Sequence, residues 1–361
     1  MKMRKIVCSF MISVVCFMTA ISGVSATSYD TSKINAAYSK VVEYYKNNNN
    51  LNNADKILAV ESLGLEAECN QFDTSSADLS STSLSKKIVT EVLLGVDPTE
   101  DKKTLESQID ENGNVEGSWG ASSDVWTLYA LYVTSSEKTN LIANKLNDEL
   151  AASSVCGYEW GGTYYADYDT TGWVIEGLAV VNKEKYATTI NKAIDYIKNN
   201  TTMTTTGWVT ADNVDTQSQV LEGMFAYDTN ALLNDSYTVH PVDCLLNTQL
   251  SDGSFPSGYN AEYTTAEVAK TLGTYKNGSV IIKAKKAYDK MMNPEQPDNT
   301  KPAQPTDTKK DSQSTNKVET TNQKTTSVKT GDETNVVIFV SLSMVSGGLF
   351  LVLRKEYERV H

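Results

Sequence analysis

The sequence predicts an all-α domain built from a repeated pair of helices. An apolar anchor residue recurs at Leu131, Leu178, Met224 and Leu272, at spacings of 47, 46 and 48 residues. Mostly apolar residues stand three and four positions before each anchor, so these three positions lie on one helix face. A second helical pattern separates each anchor from the next. A regular period of this length is typical of repeat architectures.

Two further columns of the repeat support this prediction. The residue directly before each anchor is small, which allows a neighbouring helix to approach closely. These small residues are Ala130, Gly177, Gly223 and Thr271. Eight positions before each anchor stands a polar residue, predicted to cap the helix because its oxygen can accept from free backbone N–H groups. These predicted caps are Ser123, Thr170, Thr216 and Thr264.

Helical spacing of apolar residues also predicts the elements around the anchored helices. The additional helices are expected at residues 31–46, 54–64, 83–95, 141–150, 190–200, 240–250 and 282–292. Together with the anchored helices they make about eleven helices, or five to six hairpins. One hairpin cannot hide its apolar face alone and must stack on its neighbours. The stack can run open, as a solenoid, or close, as a ring.

Both ends of the chain have the composition of targeting segments. Residues 1–26 combine a basic start, an apolar run and a small-residue cleavage site, as in a secretory signal peptide, with an uncleaved N-terminal anchor as the alternative. Residues 293–331, rich in Pro, Thr and Lys, are predicted to form a disordered stalk. Residues 332–353 include 18 consecutive uncharged positions and predict a transmembrane anchor, followed by a cytoplasmic tail at 354–361. The repeat domain, residues 27–292, is therefore expected outside the cell.

The end of the predicted stalk resembles a processing signal. The stretch "SVKTG", followed by an apolar span and a basic tail, is similar to the cell-wall sorting signal of Gram-positive surface proteins. In that signal a transpeptidase cuts between Thr and Gly, which correspond here to Thr330 and Gly331. Ser and Val replace the usual Leu and Pro. The resemblance implies attachment to the cell-wall peptidoglycan of a Gram-positive bacterium, and anchoring in the plasma membrane alone is the alternative.

Charge and cysteine content exclude some classes of protein. The net charge of −13 argues against a nucleic-acid partner, because no basic run is present to displace counterions from phosphates. Three cysteines lie outside the predicted signal peptide, namely Cys69, Cys156 and Cys244. They permit at most one bridge, so the chain is not a disulfide scaffold.

Two loop sequences point to a family of folds. The stretches "LESQIDENGNVEGSWG" and "LNTQLSDGSFPSG" resemble the Gln…Asp-Gly-Ser-Trp repeat of the squalene cyclase and prenyltransferase group. The match is closest for Gln249, Asp252, Gly253, Ser254 and Phe255. The resemblance implies an α/α toroid, in which the anchored helices form the inner layer around a central cavity. Repeat motifs of this kind indicate the fold and say little about the chemistry.

The residues required by the reactions of this group are incomplete. Its class II cyclases carry Asp-x-Asp-Asp, whereas residues 167–170 read "DYDT". Its prenyltransferases hold zinc with Asp, Cys and His. Here His240, Asp243 and Cys244 fall within about one helical turn, too close together to converge on a tetrahedral ion. The sequence therefore predicts neither a metal nor a cofactor.

Aromatic and carboxylate residues near the loops and on the anchored helices are the candidate cavity or rim residues. They are Trp119, Asp124, Trp126, Trp160, Asp167, Asp169, Trp173, Glu176, Trp208, Glu222 and Phe255. We expect these residues to bind a small molecule, a glycan or a protein without catalysis. A surface glycan-active enzyme is the alternative, since glycoside cleavage needs two carboxylates beside aromatic platforms. The equivalent repeat positions of Glu176 and Glu222 favour a structural role for that pair, and Trp126 and Trp173 also occupy positions typical of core residues.

Overall fold

The computed structural model describes residues 29–67, 80–200 and 214–294, apart from the side chains of Glu159 and Trp160. These residues are mainly helical, as the sequence predicts. The helices are α1 (Ser32–Asn47), α2 (Ala54–Ser62), α3 (Ser81–Leu93), α4 (Thr99–Ser107), α5 (Ala121–Val133), α6 (Thr139–Ser153), α7 (Tyr168–Asn200), α8 (Val214–Asn234), α9 (Pro241–Leu246), α10 (Ala261–Asn277) and α11 (Val280–Met292). One antiparallel hairpin, β1 (Gly157–Trp160) with β2 (Thr163–Ala166), and helix α4 are additions to the predicted elements.

Helices α7 and α8 each contain a bend that turns one long helix into a hairpin. The backbone leaves the helical region at Asn182 in α7 and at Asp228 in α8. Each side chain then caps the second half of its helix. Asn182 Oδ1 accepts from the Lys185 N–H at 2.9 Å, and Asp228 Oδ1 accepts from the Ala231 N–H at 3.0 Å. Both bends fall four positions after an anchor, so the backbone repeats with the same period as the sequence.

The predicted anchors lie in the hydrophobic core. Leu131, Leu178, Met224 and Leu272 are each at most 2% exposed. The residues three and four positions before them are also fully buried. Burial of these columns removes a large apolar area from water, which is the main force that holds the helices together.

Six helices pack side by side and are called the core helices. Helix α2 contacts α3, α3 contacts α5, α5 contacts α7, α7 contacts α8, α8 contacts α10, and α10 contacts α2. Helices α1, α4, α6 and α9 each pack against one or two of the core helices. The repeat therefore separates helices that share the core from helices that flank it.

The close approach of α7 and α8 depends on two glycines. A Cβ atom on Gly223 would lie 2.3 Å from the carbonyl oxygen of Gly172. A Cβ atom on Gly172 would lie 2.4 Å from the carbonyl oxygen of Gln219. Both distances are far shorter than a van der Waals contact, and the opposing atoms belong to backbone. The repeat places a small residue directly before each anchor, and this pattern predicts the close approach at Gly223. Gly172 does not occupy that position, so the pattern does not predict its role.

The predicted N-caps are wrong by about one turn. Asp167 Oδ2 accepts from the Thr170 N–H at 3.1 Å, and Asn260 Oδ1 accepts from the backbone of α10 at 3.0 Å and 3.2 Å. Ser123, Thr170 and Thr264 are instead fully buried inside the first turns of α5, α7 and α10. These helices begin earlier than the apolar pattern does, because their first turns also carry buried polar residues.

Helix α11 is tied to the core helices by polar contacts at its start. It packs against α2, α3, α5 and α10. Ser279 Oγ accepts from the Ile281 N–H at 3.1 Å and donates to Glu176 Oε1 of α7 at 2.6 Å. Lys283 Nζ lies 2.6 Å from Glu61 Oε2 of α2. These contacts fix the last described helix against two core helices.

Within the described ranges, no helix combines the length and the apolar character needed to cross a membrane. The predicted signal peptide, the transmembrane anchor and the cytoplasmic tail lie outside those ranges, as does nearly all of the predicted stalk. Thr330 and Gly331 of the sorting-like motif lie outside them as well.

Helix α4 is attached to α3 by three charged side chains. Lys87 Nζ lies 2.5 Å from Asp101 Oδ2 and 3.5 Å from Glu91 Oε1. Burial of the Glu91 carboxyl, together with the neighbouring Asp101, raises the pKa of Glu91 to about 7. The folded protein therefore holds a proton at Glu91 that the unfolded chain releases at lower pH.

We expect Gly223→Ala to lower the free energy of unfolding by about 2 kcal/mol, because the added methyl group meets backbone that cannot move without shifting α7. Gly258→Ala is the control, since a Cβ atom there meets nothing within 4 Å. Urea denaturation followed by circular dichroism measures both variants. Equal free energies of unfolding would show that the α7–α8 contact does not require glycine.

We expect the contribution of Glu91 to stability to fall as pH rises from about 4.5 to about 7 and then to level off, because only the folded state is protonated in that window. Glu91→Gln should remove this fall, and the thermal midpoint measured across the window tests it. Glu100→Gln is the control, since Glu100 belongs to an exposed pair with Lys103. A fall of the same size in Glu91→Gln and the parent protein would contradict the assignment.

Candidate functional site

A cluster of polar side chains is buried between the core helices and is called the interior cluster. Its members come from α3, α5, α7, α8 and α10, and each is at most 7% exposed. They are Lys86, Tyr129, Glu176, Glu222, Glu267 and Lys270. Buried charges are costly unless they are paired, so the partners of each group decide what the cluster does.

Two lysines supply the positive charge of the interior cluster. Lys270 Nζ lies 3.0 Å from Glu267 Oε2 and 3.7 Å from Glu222 Oε2. Lys86 Nζ lies 2.9 Å from Asp55 Oδ1. The ring of Trp126 lies 4.5 Å from the Lys86 nitrogen and 5.5 Å from the Lys270 nitrogen, within the range of cation–π attraction. One indole ring thus contacts the ammonium groups of two different helices.

The carboxyl groups of the cluster respond to burial in different ways. Burial raises the pKa of Glu222 well above its usual value, and the Lys270 ammonium only partly opposes that rise. Burial also raises the pKa of Glu176, which accepts hydrogen bonds from Ser279 at 2.6 Å and from the Tyr129 hydroxyl at 2.9 Å. Burial alone would lower the pKa of Lys270, but Glu222 and Glu267 raise it overall. The interior cluster therefore holds a buried ammonium group beside Glu222, whose pKa is raised by burial.

Several predicted rim residues lie in or beside this interior. Glu176 and Glu222 are members of the interior cluster, and Trp126 is 3% exposed. The ring centroid of Trp173 lies 5.8 Å from that of Trp126. Burial, followed by the charge of Asp167, raises the pKa of Asp169 well above its usual value. Trp126, Glu176 and Glu222 are buried, whereas Trp173 and Asp169 are partly buried.

The remaining predicted residues outside the groove have structural roles or lie outside the described side chains. Asp167 caps α7, and the backbone N–H of the fully buried Phe255 donates to Thr265 Oγ1 at 3.0 Å. Trp160 is the last residue of β1, and its side chain is not described. Trp208 lies outside the described residues.

An open groove of about 790 Å³ lies where the loop before α5 meets the β-hairpin and α6. This groove contains two of the predicted residues, Trp119 and Asp124. Its lining combines aromatic rings, charged groups and glycine backbone. The lining residues are Asn114, Val115, Ser118, Trp119, Gly120, Asp124, Lys145, Glu149, Tyr158, Gly161, Gly162 and Tyr164.

The conformation of the turn explains why a β-hairpin forms at one wall of the groove. Gly161 and Gly162 both have positive φ, 54° and 76°, which suits the two-residue turns that match the twist of the strands. Tyr158 of β1 pairs with Tyr165 of β2, and their rings stack at 5.5 Å. Tyr158 also forms an isolated bridge with Gly120, which joins the hairpin to the loop before α5. The wall is therefore fixed by backbone pairing on both sides.

Polar contacts hold the charged groups of the groove. Ser118 Oγ donates to Asp124 Oδ1 at 2.7 Å, and Lys145 Nζ lies 2.9 Å from Asp124 Oδ2. The Tyr164 hydroxyl donates to Glu149 Oε1 at 3.2 Å. Burial raises the pKa of Glu149, and the charge of Asp124 adds to the rise. The groove thus presents two carboxyl groups, one ammonium group and a tyrosine in fixed positions.

Two aromatic rings remain accessible at this groove. Trp119 is 38% exposed and Tyr164 is 42% exposed. Exposed aromatic side chains that share one concavity with convergent polar groups are typical of ligand-binding sites. We therefore take the groove as the candidate functional site.

Several residues that line the groove are not predicted from the sequence patterns. Lys145 and Glu149 lie on α6, where alternating charges are usual for a solvated helix face. Tyr158 and Tyr164 lie in a segment for which the helical pattern predicts no element. The available signal was the Gly161-Gly162 pair between two short aromatic-rich stretches, which is a pattern typical of a hairpin.

The residues considered for metal binding have other partners. His240 Nδ1 accepts from the Val242 N–H at 3.2 Å and caps α9. Asp243 accepts from the Tyr29 hydroxyl at 2.7 Å and lies 3.0 Å from Lys33 Nζ. Among the residues that the structure describes, no group of three or more His, Cys, Asp or Glu is placed to hold a metal ion.

Comparison with known proteins adds no family to this description. The sequence matches no protein-family model and no curated protein.

We expect Lys270→Met to lower the free energy of unfolding by about 3 kcal/mol or more near neutral pH, because Glu222 and Glu267 lose their buried cation. The loss should shrink at lower pH, because protonated Glu222 does not need a buried cation. Lys285→Met is the control, since its pair with Asp289 lies on the surface and is worth about 0.5 kcal/mol or less. Denaturant unfolding at two pH values measures the difference, and a loss no larger than that of the control would contradict the role of Lys270.

Proposed function

We propose that the protein binds carbohydrate in the groove beside Trp119 and Tyr164, and that it does so without catalysis. The observation that carries this proposal is the combination of two exposed aromatic rings with fixed polar groups in one open concavity. The volume of about 790 Å³ lies in the range typical of small-molecule sites.

The chemistry of the groove suits a sugar better than a purely apolar ligand. One face of a pyranose ring presents C–H groups, which pack against an aromatic ring and leave water. The hydroxyl groups at the ring edge need donors and acceptors. Asp124, Lys145 and Asn114 supply both kinds of group from the same lining.

Binding without cleavage is supported by the state of the carboxyl groups. Asp124 is held by Ser118 and Lys145, and Glu149 is held by Tyr164. A glycosidase needs one carboxyl group free to give a proton to the leaving oxygen and another free to assist water or attack. The inner-helix carboxyl groups considered for that role, Glu176 and Glu222, belong to the interior cluster.

We further propose that the core helices form an α/α toroid. This proposal is supported by the order of their contacts, which runs from α2 to α10 and returns to α2. The burial of the interior cluster between helices from five different positions in this order also supports it. In such a toroid the groove lies at the end where the loops before the anchored helices emerge.

The location of the protein is also a proposal. A secreted protein held at the surface of a Gram-positive cell, by a membrane anchor or by linkage to peptidoglycan, is supported by the composition of both chain ends. Carbohydrate is abundant at such a surface. A groove that binds it would attach the protein to its own envelope or to external glycans.

We expect Trp119→Ala and Tyr164→Ala each to weaken binding to the best ligand of a glycan array by about tenfold or more, since each removes an aromatic platform. Tyr259→Ala is the control, because Tyr259 is an exposed aromatic residue outside the groove lining. Isothermal titration of the full-length protein measures affinity, and circular dichroism checks folding. Release of reducing sugar is measured in the same samples. Affinity unchanged in both groove variants, or sugar release by the parent protein, would contradict the proposal.

A further inference from the structure

The charges of the groove do not balance. Asp124 and Glu149 are two carboxyl groups, and Lys145 is the one ammonium group in the same lining. The Lys145 ammonium is 2.9 Å from Asp124 Oδ2 and also donates to the carbonyl oxygen of Gly113 at 3.3 Å. The hydrogen bonds of Glu149 come from neutral groups, the Tyr164 hydroxyl and the backbone N–H of Gly157. The negative charge of Glu149 is therefore the unbalanced charge of the groove.

Aromatic rings surround the same space. Trp119, Tyr158 and Tyr164 all line the groove with Glu149. The face of an aromatic ring attracts a cation, and the attraction grows when the cation leaves water. A carboxylate and several aromatic rings in one concavity are the combination that recognises an organic ammonium group.

Burial disfavours the ionised form of Glu149, and a bound cation would offset that cost. Burial raises the pKa of its carboxyl group, Asp124 raises it further, and the hydrogen bond from Tyr164 together with Lys145 opposes the rise. Burial raises the pKa of the Cys156 thiol, and the charge of Glu149 raises it further. A bound cation would favour the ionised form of Glu149 and would be favoured by it in turn.

We propose that the groove selects carbohydrate that carries a free, protonated amino group, with Glu149 as the anionic partner of that amine and Trp119 and Tyr164 as the rings beside it. This inference rests on the proposed function of the groove and adds the chemical class of its ligand. Sugars that carry carboxylates are disfavoured, because the groove and the chain, at −13, have the same sign of charge as such ligands.

The test compares three tetrasaccharides that differ only in the substituent at C2 of each sugar ring. β-1,4-linked glucosamine has a free amine at C2, β-1,4-linked N-acetylglucosamine has an amide there, and β-1,4-linked glucose has a hydroxyl group. Titration of the full-length protein at a pH at which the amine is protonated and Glu149 is ionised should show the glucosamine tetramer binding about tenfold tighter than the other two. Equal affinity for all three would leave carbohydrate binding intact and overturn the amine selectivity. If no tetramer binds, both the proposed carbohydrate binding and the amine selectivity are overturned.

A matched pair of variants assigns the selectivity to one carboxyl group. Glu149→Gln keeps the size of the side chain and removes its charge, so the ratio of the affinity for the glucosamine tetramer to that for the neutral tetramers should fall about tenfold. Asp148→Asn removes the same charge from the neighbouring exposed residue, which does not line the groove, and should leave the preference in place. Preference retained in Glu149→Gln, or lost equally in both variants, would overturn the assignment.

The salt dependence of the parent protein tests the same point without a substitution. Attraction between Glu149 and an ammonium group is screened by salt, so the preference for the glucosamine tetramer should shrink as ionic strength rises. A preference that is unchanged by salt would show that shape and not charge selects the ligand, and would overturn the proposal even if Glu149→Gln did not fold.

Discussion

The packing of the core helices depends on the ion pairs that the buried ammonium group of Lys270 forms. The carboxyl groups within reach of this ammonium group come from its own helix and from α8. The Trp126 ring of α5 lies between this lysine and Lys86 of α3. A buried charge has few arrangements in which its partners are satisfied, so this group fixes the relative register of helices that apolar packing alone would leave free to slide.

The proposed ligand site lies apart from this cluster. The side chains that the repeat directs toward the core are shielded from solvent, and several of them pair with one another. Accessible aromatic and charged groups gather instead at the loop before α5, on α6 and on the hairpin. Under the proposed function, the groups that hold the helices together and the groups that would meet a ligand occupy different positions. The structure divides them between the core and the groove.

The sequence predicts the repeated part of the molecule well. The anchor positions and the columns before them must be apolar in every copy, so Leu131 and its equivalents identify the buried faces directly. The caps at Ser123 and Thr264 are wrong because small polar residues also serve inside a buried first turn, and the sequence does not separate the two uses. Glu176 and Glu222 stand near the aromatic residues in the repeat, but their partners Tyr129 and Lys270 come from neighbouring copies and are visible only in three dimensions.

The candidate site is harder to predict because it is built from departures from the repeat. Trp119 and Asp124 belong to one copy, whereas Glu149 lies on a flanking helix and looks like an ordinary solvated residue. The hairpin depends on a single Gly-Gly turn that occurs in one inter-helix segment of the described chain. A feature that occurs in one copy does not recur at the repeat spacing, so a search for repeated patterns does not detect it.

The way in which the hairpin is attached has a consequence for how recognition can change over evolution. Its strands are held by main-chain pairing, by the turn at Gly161 and Gly162, and by the bridge from Tyr158 to Gly120, and these contacts do not require a particular side chain at Tyr164. Substitutions at Tyr164 therefore leave the backbone pairing of the hairpin in place. Descendants of this gene are free to acquire new specificities at this wall by point mutation, and protein engineers have the same freedom for library design.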